Sequence, residues 1–146
     1  SGKVMTEREA ILQALFARLQ TISDAKVLRN EALPEKIPDG GLIIFRDGDP
    51  GEPETLLSPV SYYWQHRALV EAVVQKGDQA TRDLALDGLF RKISIAIAGD
   101  RTLGGLCDRI TPQAPDTSVL VVEGSPQIKG AIIPLEIIYV TADPLG

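Results

Sequence analysis

"YYWQHRALVEAVVQ", residues 62–75, changes character at every second position. Tyr62, Trp64, His66, Ala68, Val70, Ala72 and Val74 fall on one face; Tyr63, Gln65, Arg67, Leu69, Glu71, Val73 and Gln75 fall on the other. Successive side chains of a strand point to opposite faces, so this alternation predicts a strand. Fully extended it spans about 45 Å at ~3.3 Å per residue, well beyond the usual strand. Such a strand is expected to project past its own sheet and meet something there. On the more polar face, Leu69 and Val73 are the expected subunit contacts, and Arg67 and Glu71 the rim charges that fix register.

Upstream, Thr6-Glu7-Arg8-Glu9 has the form of a capping box, and Ile11, Leu15, Leu19 and Ile22 recur at helical spacing. A first helix is predicted from about Glu7 to Ile22. Ala25–Arg29 is a short strand candidate. "NEALPEKIPDGG" reads as a loop by its prolines and closing glycine pair, and "LIIFR", 42–46, suits a buried strand. "DGDPGEPE", 47–54, is acidic and turn-rich, so it is expected to form an exposed loop or hairpin tip. Its Asp47, Asp49, Glu52 and Glu54 lack the spacing of a calcium loop, and Pro50 and Pro53 interrupt them. They are instead the candidate surface for a partner, since exposed loops on a rigid sheet often carry function.

Downstream, Asp78 is a good N-cap for a second helix with Leu86, Leu89, Phe90, Ile93 and Ile97 as its apolar stripe. Asp83 and Asp87 lie toward its start, Arg91 and Lys92 toward its end, the order the helix dipole favours. "SVLVV", 118–122, and "AIIPLEIIYVT", 131–141, are predicted strands joined through "EGSPQ". In the last one Ala131, Ile133, Leu135, Ile137 and Tyr139 point one way, while Ile132, Ile138 and Val140 point the other. Both faces of that strand need cover, and two helices can cover only one face of a small sheet. The surplus apolar surface predicts a protein–protein interface. The expected fold is α/β (α+β): one domain, a mixed sheet flanked by two main helices, in the order α-β-β-β-α-β-β.

Chemistry is sought first in "GDRTLGGLCDR", 99–109, which holds three glycines and the single cysteine. A phosphate cradle needs a loop leading into a helix N-terminus. Here the glycines follow a helix, whose end presents carbonyls. The expected reading is structural: Gly99 takes a left-handed cap, Leu103 packs back on the helix, and Gly104-Gly105 turn into the next strand. A nucleophilic Cys107 would need His66, the one histidine, as base. His66 is expected to be a partly buried sheet residue, and Cys107 a small buried apolar one. The aromatic run 62–64 lacks the interleaved basic residues of a base-stacking platform. No catalytic, cofactor or metal residues are assigned.

With 146 residues and 44% hydrophobic content, the chain has room for one domain with one core. Ser1-Gly2-Lys3 reads as a cloning remnant before a start near Met5, so 1–5 are set apart from a domain over 6–146. A net charge of −5 argues against general binding to nucleic acid or to anionic membranes. No apolar run is long enough to cross a membrane as a helix, one cysteine permits no internal disulfide, and the cytoplasm is the default compartment.

The features "TEREAILQALFARLQ", "YYWQHRALVEAVVQ", "GDRTLGG" after the second helix and the closing "LEIIYVTADPLG" together cover nearly the whole chain. In that pattern the chain resembles the siphophage tail terminator family, minor tail proteins of the lambda U type encoded by phages and prophages. The resemblance implies a hexameric ring of α/β subunits that caps the tail tube, ends its polymerisation and docks the head–tail connector. DNA would only pass through the ring, for which acidic walls are suited. The implied setting is the virion, assembled in the bacterial cytoplasm. The family supplies no catalytic residues to carry over. The alternatives are another neck or tail-completion component and, in a different class, a small enzyme using Cys107 and His66.

Overall fold

In the computed structural model, which describes residues 4–117 and 127–146, two helices lie against one face of a six-stranded mixed sheet. The elements are α1 (Glu7–Leu19), β1 (Lys26–Arg29), β2 (Leu42–Asp49), β3 (Glu54–Leu56), β4 (Ser61–Gln75), α2 (Gln79–Ala98), β5 (Arg109–Pro112) and β6 (Ile128–Thr141). The strand order is β1-β2-β4-β6-β5, with β3 pairing β4. Among the described strands only β1 and β2 run parallel. The expected element order holds, with short β3 added from the last residue of the stretch expected to be loop.

The core follows from the alternation. Trp64, Ala68, Val70, Ala72 and Val74 of β4 meet Ile43 and Phe45 of β2 and Ile133, Leu135, Ile137 and Tyr139 of β6 in one buried cluster. Ile11, Leu12, Leu15 and Leu19 of α1, with Leu86, Leu89, Ile93 and Ile97 of α2, cover it. Burying each such side chain contributes about 1.5–3 kcal/mol, and this single face therefore carries most of the fold's driving force. Among the described residues the opposite face is covered only at one end, where Ile37 from the loop after β1 closes over Leu42, Ile44 and Val73.

The expectation of a projecting strand is corrected. The long strand does not project: β6 pairs with it from Tyr62 to Gln75, and on its other side β2 and β3 share its length. What extends beyond the paired region is the turn 57–60, with Leu57 and Val60 exposed. The chain after α2 forms β5 at Arg109–Pro112; the predicted strand 118–122 lies outside the described residues.

Gly99 is also not left-handed. It caps α2 at φ −66°, and a Cβ there would meet the Arg18 guanidinium. Arg18 Nε donates to Ala96 O at 2.6 Å, satisfying a carbonyl of the last turn. The positive φ values come later, at Leu103, Gly104 and Gly105, where the chain turns toward β5. Leu103 is buried against the core as expected.

Both N-caps form as predicted: Thr6 Oγ1 accepts from Glu9 N at 3.1 Å, and Asp78 Oδ2 from Thr81 N at 3.0 Å. The capping box is only half made, because the Glu9 carboxylate turns to Arg29 instead of reaching back to Thr6. Helix α1 also stops at Leu19, three residues early, although Ile22 still reaches the core.

Candidate functional site

Two regions gather the candidate residues: a polar network at one end of the sheet, and the face the helices leave open. The network is organised by a bulge. Asp47 and Gly48 together stand opposite Ala68, where the β2–β4 register shifts. Gly48 sits at φ 72°, and a Cβ there would strike the Arg67 carbonyl. Glycine makes this bulge possible. It turns the Asp47 carbonyl to His66 Nε2, 2.6 Å away, and the Asp47 carboxylate toward β1.

There Arg29 forks between two acids. Its Nε and Nη2 donate to Asp47 at 2.8 and 2.9 Å, and its Nη1 and Nη2 donate to Glu9 at 3.0 Å. The Arg29 guanidinium holds both carboxyls below their ordinary values, while the two acids push Arg29 upward. On the other side, His66 Nδ1 lies 2.8 Å from Tyr139 Oη, which accepts from Arg8 Nε at 2.7 Å. The bonds assign the protons: Tyr139 donates to Nδ1, and Nε2–H donates to the Asp47 carbonyl. His66 is thus neutral, and burial pushes its pKa down.

Arg8 stacks over the Trp64 ring at 4.2 Å and donates through Nη1 to Leu145 O. Its Nη2 is buried without a partner among the described residues, a cost the cation–π contact offsets in part. Trp64 Nε1 donates to Thr141 Oγ1 at 2.9 Å. The network therefore ties the first turn of α1 to β1, β2, β4, β6 and the C-terminal segment. Sequence reasoning missed Arg8, Glu9 and Arg29 as its members. The one local signal was Arg8 itself, a cation in the first turn of a helix, where the dipole disfavours it.

Cys107 and His66 are not brought together. Cys107 Sγ is directed to Arg101 O at 3.7 Å, and both nitrogens of His66 are committed elsewhere. Burial pushes the Cys107 thiol up to about 11, so it stays protonated at neutral pH. No cluster of His, Cys, Asp and Glu placed to hold a metal ion occurs among the described residues.

The acidic stretch divides. Asp47 is half-buried in the network, which corrects its expected place in an exposed loop. Asp49 ends β2, opposite Arg67, and Glu54 opens β3, so only residues 50–53 are loop. Asp49, Glu52 and Glu54 are exposed.

The open face consists of the other alternation set. Across β4 and β6, Tyr63 stands beside Val140, Gln65 beside Ile138, Arg67 beside Glu136, and Leu69 beside Pro134. Arg67 is exposed and Leu69 half-buried, and among the described residues no helix lies above either. Glu71 is drawn into an ion pair with Arg46 at 3.0 Å. Val73 is fully buried by Ile37 and its neighbours. It is thus not available as a subunit contact, and that expectation is corrected. Of the four expected interface residues, Arg67 and Leu69 stand on open surface.

The fold and these two regions define a mixed α+β domain with a one-sided helical layer. No protein-family model matches the chain, and a search of curated proteins finds no match either.

Proposed function

We propose that this protein is a ring-forming structural subunit of a phage tail, a terminator that caps the tail tube, stops its polymerisation and presents the surface for head joining. The reading begins from the resemblance of the chain to that family. It is supported by one observation above the others: both helices cover the same sheet face. The opposite face keeps Leu69, Ile132, Pro134, Ile138 and Val140 outside the main core, with Val140 40% exposed. Apolar residues alternating with Arg67 and Glu136 suit a contact between subunits, in which charges set register and apolar side chains exclude water.

A hexamer closed through such surfaces would expose the acidic edge of residues 49–54 to a partner, with the tube protein on one side and the connector on the other. DNA would be cargo in transit. Deleting the protein from the phage or prophage that encodes it is expected to leave heads and tubes forming apart, with overlong, unjoined tubes in electron micrographs. Tubes of normal length without heads would indicate another neck component, and infectious particles of normal form would overturn both.

A further inference from the structure

Helix α2 is apolar on two sides. Its core side carries Leu86, Leu89, Ile93 and Ile97. At 100° per residue, the line diametrically opposite holds Leu84, Gly88, Arg91 and Ile95, where a helix covering a sheet normally places charge. Leu84 is 74% exposed and Ile95 60%. Between them Gly88 sits inside a helix of 20 residues, where glycine is a weak helix former. Nothing among the described residues asks for it: a Cβ on Gly88 would meet none of their atoms within 4 Å.

We propose that this outer ridge of α2 is a contact with the α2 of a second copy of the chain, antiparallel and two-fold symmetric. The ridge is complementary to itself. A two-fold axis midway between residues 89 and 90 sets Leu84 against Ile95 of the second copy, and Ile95 against its Leu84. The same axis sets Gly88 opposite Arg91 of the second copy, and the missing side chain leaves room for the arginine stem. Asp87 lies one residue from that level on the same flank, so it meets Arg91 across the axis, twice over. Both are exposed, and neither has an ion pair among the described residues. Acid ahead of the axis and base behind it is the charge order that antiparallel pairing requires.

Leu84 and Ile95 are ~16 Å apart at 1.5 Å per residue, so the contact runs about three helical turns. A two-fold contact of this kind is isologous and consumes its own surface, so it stops at two copies. It is independent of the ring proposed above, which uses the sheet face.

The test is charge exchange read by native mass. Asp87→Arg places like charge opposite Arg91, and Arg91→Asp places like charge opposite Asp87. Each variant alone is expected to raise the pair's dissociation constant at least tenfold. Mixing the two is expected to restore pairing, because every contact is then of opposite charge, and the mixed species should contain one chain of each. Leu84→Glu with Ile95→Glu should abolish pairing with an unchanged circular dichroism spectrum. Variants that pair as the parent does, or a mixture that fails to form the mixed species, would overturn the proposal.

Discussion

Protonating His66 would put two N–H donors where the structure offers one acceptor and one hydroxyl already donating. The neighbouring cation is Arg8; the acids facing the site are Asp47 and Asp49. Because burial holds the folded pKa below the ordinary 6.5, the unfolded chain takes up the proton first as pH falls. Stability from this group is thus fully present above about pH 6.5 and is lost progressively below it, down to the depressed folded value. Urea denaturation midpoints at stepped pH should show this loss in the parent, while His66→Gln should flatten it between pH 7 and 5. Glu9 and Asp47 titrate in a separate window. Their depressed folded values add stability present above the unfolded carboxylate range and lost as pH falls through it.

Tyr139→Phe removes the hydroxyl that joins Arg8 to His66 and leaves buried groups unpaired, which costs about 1–3 kcal/mol. Chemical denaturation checks it; a change under 0.5 kcal/mol would mean the network is slack. Cys107 should react slowly with a thiol probe at pH 7 in the folded protein and rapidly once unfolded, since its pKa is pushed up to about 11. Little of this network is legible in the sequence. Arg8 and Tyr139 are 131 positions apart, and no local pattern pairs them.

Among the elements, β4 and β6 are legible because their alternation is enforced by a single helical layer on one side. Val73 shows where alternation stops informing. Its position on the strand is read correctly, but the loop carrying Ile37 folds over that end, and the period of the strand carries no trace of it. Strand β5 is missed because Arg-Ile-Thr-Pro is too short for a period, and its Pro112 reads as a turn. The bulge at Asp47–Gly48 is hidden for another reason: "DGDPG" looks like a turn throughout, and only pairing with β4 draws its first residues into the sheet. Gly48→Ala tests that device. The left-handed backbone alone costs about 1–2 kcal/mol, and the clash with the Arg67 carbonyl adds to it. A thermal melt equal to that of the parent would show that the bulge relaxes freely. Thr6→Ala, which removes the α1 cap, should cost about 1 kcal/mol in the same assay.

For the whole molecule, the placement of both helices on one side governs the account. A sheet finished on one face is a stable domain that still carries a second surface to be covered, and the proposed ring makes that surface a joint between copies. Leu69 is the probe, standing between Arg46 and Pro134 on the open face. The measurement is native mass over a wide concentration range, for the parent and for Leu69→Glu. The parent is expected to pass from the 15.7 kDa chain, through the α2 pair, to assemblies of six copies or more. Leu69→Glu should remain folded by circular dichroism and lose the larger species. A parent that never exceeds two copies at any concentration, or a Leu69→Glu protein that assembles as the parent does, would contradict the account.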